Sequence, residues 1–157
     1  MVFVSGVQVF ERLDRLRDLC CAGMVCRTWY SASTHRQFWR RLAFDPSRSI
    51  AAEQVVSLCR KHRGVKHLNL RGVANADDVL TQIDGGDELH ALCSLHLAFQ
   101  PLSEAMLGRV SRLCPMLLHL HITDPVVPTG HAAELNFHLP VLEELEVISA
   151  RAVSVTH

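Results

Sequence analysis

The sequence predicts an α+β chain in two parts, a helical module over residues 7–44 and an α/β arc of parallel strands over residues 50–157. Three observations carry this fold class. Both tryptophans lie in the first quarter of the chain, ten residues apart, each at the end of an apolar stripe with helical spacing. Beyond residue 64, the pattern L-x-x-L-x-L recurs four times at intervals of 25 to 27 residues. Hydrophobic residues make up 48% of the chain, which is enough to form a buried core.

The helical module is predicted to contain three short helices, over residues 7–13, over residues 18–29 and from residue 34 onward. Thr34 is the candidate N-cap of the third helix, and Trp29 is expected to close the module. Two large aromatic side chains on short helices favour either a miniature core or a surface for another helical protein. The predicted apolar faces are Val9, Phe10 and Leu13 on the first helix, Leu19, Ala22, Val25, Cys26 and Trp29 on the second, and Phe38, Trp39 and Leu42 on the third.

Three further helices are expected after the module, one from about Ile50 to Lys61 and two between the later strands. Residues that can accept a capping hydrogen bond precede each of them, namely Ser49, Asn75 and Ser103. The predicted apolar faces are Val55, Leu58 and Cys59 on the first, Ala76, Val79, Leu80 and Ile83 on the second, and Met106, Leu107, Val110 and Leu113 on the third.

The four copies of L-x-x-L-x-L are centred on leucines 68, 95, 120 and 145. Repetition at this period is the signature of leucine-rich repeats, in which each unit is a short strand followed by a return segment. Pro125, Pro128 and Gly130 exclude a regular helix from the third return segment. Solenoids of such repeats end in a polar capping unit, and none is visible before residue 157. We therefore expect the repeats to continue beyond this chain.

Two motifs in the helical module are similar to a known family. The run D-L-C-x-A-x-x-V-C-R-x-W at residues 18–29, followed by F-W-R-R-L-x-F at residues 38–44, resembles the second and third helices of an F-box. Together with the repeats, it resembles F-box proteins with leucine-rich repeats, of a plant-like type. The chain departs from the family pattern at its start, where the usual Leu-Pro-x-Glu is missing, and in a connection over residues 13–18 that is one residue longer.

The resemblance implies a substrate-recognition adaptor of an SCF-type ubiquitin ligase. The module would dock on the Skp-family adaptor of a cullin ligase complex, and the repeats would bind an unknown target protein. The alternative is a stand-alone leucine-rich-repeat scaffold that binds a protein without recruiting a ligase. The positions that the resemblance assigns to adaptor docking are Phe10, Leu13, Leu19, Val25, Cys26, Trp29 and Trp39.

Charge and cysteine content exclude several other classes of function. Sixteen basic and sixteen acidic residues cancel, so no global field favours nucleic acid or membrane as a partner. A basic cluster around Trp39 is expected to be a solvated helical face; its members are Arg36, Arg40, Arg41, Arg48, Arg60, Lys61 and Arg63.

The six cysteines match no zinc module, and we expect most of them to be buried in a reducing compartment. The opening residues make a poor signal peptide, which predicts a cytoplasmic or nuclear protein.

The positions between the repeat leucines are predicted to form the target-binding concave face of the arc. Alternation along a strand points them away from the core, in two rows. Four of the ten histidines lie there, although exposed polar residues on an ordinary strand would show the same alternation. A His–His–Glu cluster could also hold zinc, but strand spacing does not ensure tetrahedral geometry. The rows are His67, Ser94, His119 and Glu144, and Asn69, His96, His121 and Glu146.

The sequence contains none of the common catalytic motifs that would indicate an enzyme. It lacks G-x-S-x-G, H-E-x-x-H and a glycine loop with a phosphate-binding lysine. Asp77 and Asp78 fit the first turn of a helix better than a metal pair, because negative charge there is favoured by the helix dipole. We therefore expect a protein-binding chain that has no catalytic residue, cofactor or metal.

Overall fold

The computed structural model describes residues 10, 13, 16–44, 50–73, 75–84, 89–98, 104–124 and 142–148. Five α-helices lie within these ranges: α1 (Leu16–Gly23), α2 (Arg27–Ser33), α3 (Ala52–Lys61), α4 (Ala76–Ile83) and α5 (Glu104–Leu113). A 3-10 helix spans Arg36–Trp39. Five strands complete the described elements: β1 (Arg41–Ala43), β2 (His67–Asn69), β3 (Ser94–Ala98), β4 (His119–Thr123) and β5 (Glu144–Ile148). None of these helices is both long and apolar enough to cross a membrane.

The five strands form one parallel sheet in which their spatial order follows the chain. The repeat leucines are in register across it, so that Leu68, Leu95, Leu120 and Leu145 form a continuous line. Leu68, Leu95 and Leu120 are buried, whereas Leu145 on β5 is half-exposed. The register predicted from the spacing of the leucines is therefore confirmed, because a one-residue slip would have turned every leucine to the opposite face.

Helices α3, α4 and α5 stack in chain order, with α4 packed between the other two. All the apolar side chains predicted for these helices are buried except Leu58, which is half-buried. Helix α3 begins at Ala52, two residues later than expected. Asn75 does occupy the N-cap position of α4, but its side chain makes no capping hydrogen bond. Helical spacing therefore predicted the packed faces better than it predicted the helix starts.

Polar bridges join these helices along the edge that faces away from the core. The Arg60 guanidinium on α3 donates to the carbonyl oxygen of Gln82, in the last turn of α4, over 3.0 Å. Arg109 on α5 pairs with Asp77 in the first turn of α4. Arg112 donates to Asp84 over 3.2 Å. Asp77 therefore has a structural partner, which agrees with its expected role at a helix start rather than in a metal pair.

The predicted second helix is broken. Helix α1 ends at Gly23, residues 24 and 25 form a turn, and α2 begins at Arg27. A methyl group added at Gly23 would lie 2.6 Å from the Ser33 Oγ, so glycine allows α1 and the end of α2 to approach each other closely. The break places Leu19 in the core while Val25 and Cys26 become exposed.

The predicted third helix is also wrong. Thr34 is the C-cap of α2 instead of an N-cap, and its hydroxyl donates to the carbonyl oxygen of Ser31. Phe38 and Trp39 belong to the 3-10 helix, whereas Leu42 lies in β1 and is fully buried. Residues 41–44 alternate between exposed and buried positions, as a strand with one buried face does. The sheet thus begins inside the helical module, and β1 pairs with β2.

Several expectations concern residues outside the described ranges. These are the start of the first predicted helix, the caps Ser49 and Ser103, Arg48, the third return segment over residues 125–141, and the chain after residue 148.

Candidate functional site

The helical module exposes four large apolar side chains around the turn between α1 and α2. We call them the apolar patch; they are Met24, Val25, Trp29 and Tyr30, which are 80%, 66%, 38% and 57% exposed. Single exposed apolar residues are ordinary on protein surfaces, but a cluster that includes methionine and two aromatic rings is typical of a protein-binding site.

The apolar patch is held by the same contacts that break the predicted helix. Gly23 lets the end of α1 lie against Ser33, whose hydroxyl donates to the carbonyl oxygen of Tyr30 over 2.8 Å. The backbone N–H of Met24 donates to the carbonyl oxygen of Cys21, and that of Val25 to Ala22. These bonds close a tight turn, and the side chains of its two residues are exposed to solvent.

Trp29 connects the apolar patch to the core. Its ring meets the ring of Phe10 edge to face, with centroids 5.5 Å apart and planes at 72°. Phe10 is buried and also contacts Phe38, at a centroid distance of 5.9 Å. An edge-to-face pair of this kind favours one ring orientation. Trp29 is therefore oriented by the core while more than a third of it stays available to a partner.

The structure divides the seven residues assigned to adaptor docking into two groups. Val25, Cys26 and Trp29 are exposed and can contact a partner. The other four support the surface from below: Phe10, Leu19 and Trp39 are buried, and Leu13 packs partly buried against the core. Sequence reasoning missed Met24 and Tyr30, because an unbroken helix would have placed them outside the apolar stripe. The glycine before Met24 was the available signal for a break.

The cysteines also differ from expectation. Cys20, Cys21 and Cys26 on the module are exposed, Cys93 is half-buried, and only Cys59 and Cys114 are buried. Burial, together with the neighbouring Cys59 thiol, raises the pKa of Cys114 to about 12. Since the thiolate is the reactive form, Cys114 acts as a small core residue.

A second candidate surface lies on the strands. We call it the strand face, and it consists of the two rows predicted from the sequence: His67, Ser94, His119 and Glu144, and Asn69, His96, His121 and Glu146. Each row follows the observed register between neighbouring strands. Ser94 is buried within its row, and the other seven are half-buried or exposed.

The β4–β5 end of the strand face is built from histidine–carboxylate pairs. The Nδ1–H of His119 donates to Glu144 over 3.1 Å, and that of His121 donates to Glu146 over 2.7 Å. The imidazole rings of His96 and His121 lie 4.2 Å apart, measured between their centroids. This end therefore presents two carboxylates, and the ring of His121 is tilted by 30° against that of His96.

The β1–β3 end of the strand face is cationic and hollow. Arg41 on β1 is in register with His67, beside a hollow of about 380 Å³ that reaches His96. Asn69 is held there by the backbone N–H of Arg71, which donates to its side-chain oxygen over 3.0 Å. The surface charge thus changes from Arg41 at one edge of the sheet to Glu144 at the other.

Two histidines of the strand face are shifted toward their neutral form. Burial lowers the pKa of His96, and the neighbouring His121 and Arg71 lower it further, against the opposing effect of Glu146. Burial also lowers the pKa of His67, with smaller effects from Arg41 and His119. A negatively charged partner group placed here would favour protonation of both imidazoles.

Metal binding gains no support from this geometry. Within the described ranges, no three His, Cys, Asp or Glu side chains are arranged so that they could hold a metal ion. Cys59 and His62 have the C-x-x-H spacing of one half of a zinc module, but the two side chains lie in different environments. Cys59 is buried in the core, whereas His62 stacks on Trp39.

Comparison with known families bears on the helical module. Residues 6–45 match a family model described as F-box-like. The chain therefore contains an F-box-like domain, and domains of this kind typically bind Skp-family adaptor proteins. The match includes the whole apolar patch and β1, and it ends before α3.

Proposed function

We propose that the chain is a substrate adaptor of an SCF-type ubiquitin ligase. In this proposal the apolar patch docks on the Skp-family adaptor of a cullin ligase complex, and the strand face binds the target protein. The observation that carries the proposal is the position of the apolar patch, because all four of its residues lie inside the F-box-like match.

The chemistry of the apolar patch supports a protein partner. Methionine and aromatic side chains are enriched at the centres of protein interfaces, where they fill pockets on the partner and exclude water. Trp29 is also oriented before binding by its contact with Phe10. An anchor that is already ordered loses less side-chain entropy on association, which favours affinity.

Target binding is proposed for the strand face as part of a leucine-rich-repeat arc. The proposal is supported by the recurring L-x-x-L-x-L, by the parallel register of its leucines and by the stacked return helices. Its histidines, carboxylates and Asn69 offer directional contacts for a protein surface. In this role the chain is non-enzymatic, needs no cofactor and works in the cytoplasm or nucleus.

Titration of the purified chain with a purified Skp-family adaptor tests the docking half of the proposal. Val25→Ser and Trp29→Ala should each weaken adaptor binding by about thirtyfold or more, as expected for residues at an interface centre. His119→Asn on the strand face is the matched control and should leave the affinity unchanged. A folded wild-type chain that does not bind the adaptor would contradict the proposal and favour a stand-alone scaffold.

A further inference from the structure

A basic cleft lies where the helical module meets α3. Its volume is about 340 Å³, and five cationic side chains line it: Arg36, Arg40, Arg60, Lys61 and Arg63. None of the described residues that line it is acidic. Small-molecule sites have volumes in this range, and cationic side chains gathered around one cleft attract an anion.

The basic cleft is assembled by the fold from two separate segments of the chain. Arg36 is the first residue of the 3-10 helix and Arg40 follows its last residue, whereas Arg60, Lys61 and Arg63 come from the end of α3 and the turn after it. All five side chains are exposed, as expected of a solvated cluster, but they come from two segments and do not share one helical face. Arg41 points elsewhere, onto the strand face.

The cleft has a rigid aromatic wall. The rings of Trp39 and His62 stack with centroids 4.0 Å apart and planes at 1°. The indole N–H of Trp39 donates to the carbonyl oxygen of Ser33 over 2.7 Å, which fixes the ring. The Nε2 of His62 is buried and has no hydrogen-bond partner within the described part of the chain. Trp39 and His62 therefore line the cleft as a stacked pair of rings.

We propose that the basic cleft binds a compact anion that carries two or more phosphate groups. Four of the five cations are arginines, whose planar guanidinium groups bind phosphate oxygens in pairs. The chain as a whole carries no net charge, so the attraction is local to the cleft. This favours a small ligand over a long polyanion such as nucleic acid.

His62 provides a reporter inside the cleft. In the free chain, burial and the neighbouring Lys61 lower the pKa of this imidazole. A phosphate group beside it stabilises the imidazolium and raises the pKa. Binding at the basic cleft should therefore move the His62 titration upward.

Calorimetric titration of the chain with sodium tripolyphosphate tests the proposal. We expect saturable binding that weakens as salt rises, and much weaker binding of inorganic phosphate. The double variant Arg36→Gln/Arg63→Gln should bind about tenfold more weakly or worse, because charge-assisted hydrogen bonds are lost. Arg112→Gln, which removes a positive charge on α5, is the matched control and should bind within about twofold of wild type.

Three outcomes would overturn the proposal. The first is the absence of any binding heat and of any upward shift of the His62 pKa in the wild-type chain at millimolar tripolyphosphate. The second is an equal loss of affinity in the Arg112→Gln control. The third is binding of a hexaglutamate peptide as tight as that of tripolyphosphate, since this would indicate unselective attraction of anions. None of these measurements depends on the adaptor, so they stand apart from the test of the docking function.

Discussion

The sheet and the helical module differ in how far they bury their apolar residues. In the sheet, the leucines of β1 to β4 are fully buried and the positions between them carry polar side chains. In the module, the turn between α1 and α2 leaves Met24, Val25 and Tyr30 more than half exposed. Strands β1 to β4 satisfy their hydrophobic pattern within the chain, whereas β5 leaves Leu145 half-exposed and the module keeps an apolar surface that a partner can cover.

The two tryptophans show the same difference in burial within one short segment. Trp39 is 7% exposed and its indole N–H is hydrogen-bonded, whereas Trp29 is 38% exposed. Sequence reasoning expected Trp29 to close the module, but in the structure Trp39 closes it. Trp29 lies between core and surface. A side chain in this position can contact a partner while contributing only part of its surface to the stability of the fold.

Replacing each tryptophan with alanine should separate stability from docking and gives the largest expected effect. Trp39→Ala should lower the free energy of unfolding by about 3–5 kcal/mol, as truncation of a buried aromatic does. Trp29→Ala should lower it by less than about 2 kcal/mol, because less of its surface is buried. Urea unfolding measures both values. Equal losses would contradict the division between a core tryptophan and a surface tryptophan.

Gly23→Ala should produce a smaller effect through overpacking. The added methyl group would lie 2.6 Å from the Ser33 Oγ and 3.3 Å from its Cβ, so α1 and α2 must move apart or the serine must rotate. We expect a loss of about 1–3 kcal/mol in unfolding free energy, with weaker adaptor binding because the turn at Met24 shifts. Thermal unfolding gives the first quantity and titration with the adaptor the second.

A double variant controls for the cause of that loss. Gly23→Ala/Ser33→Ala removes the closest contact and should recover part of the stability relative to Gly23→Ala alone. Strictly additive losses would mean that the two residues do not interact and that the close approach does not hold the turn.

The strand face should show the smallest effect, a pH dependence governed by His96. The lowered pKa keeps this imidazole neutral in the folded chain at a pH where the unfolded chain protonates it. Its contribution to stability is therefore complete above about pH 6.5 and declines as the pH falls through the lower, folded-state pKa. NMR titration of the imidazole should place the His96 pKa below 6.5.

Two variants of neighbouring residues test the sign of this effect. Glu146→Gln should lower the His96 pKa further, because the carboxylate that opposes the shift is lost. His121→Asn should raise it, because a neighbouring cation is removed. His90→Asn is the control outside the strand face. Shifts in the same direction for Glu146→Gln and His121→Asn would contradict the electrostatic explanation.

The sheet was predictable because its pattern repeats. Each copy supplies two apolar side chains for one face, such as Leu95 and Leu97, and the burial of Leu68, Leu95 and Leu120 excludes a one-residue slip of the register. The polar rows follow automatically from that register. Strand β1 was missed because the helical resemblance of residues 38–44 concealed the alternation of Arg41, Leu42, Ala43 and Phe44.

The apolar patch was only partly predictable, for a different physical reason. Which apolar residues remain exposed depends on where a helix breaks, and this depends on the close contact between Gly23 and Ser33. The family resemblance assigned Val25 and Trp29 to adaptor docking, whereas helical spacing placed them on a buried stripe. The basic cleft shows the same limit, because two segments at least twenty residues apart are brought together only by the tertiary fold.

Hydrogen exchange of the chain with and without a purified Skp-family adaptor tests whether the apolar patch is the docking surface. We expect bound adaptor to slow amide exchange in peptides covering residues 24–30 and to leave exchange in the strands of the strand face unchanged. Binding that protects the strand face while residues 24–30 exchange as in the free chain would contradict it, because the apolar patch would then not be the docking surface.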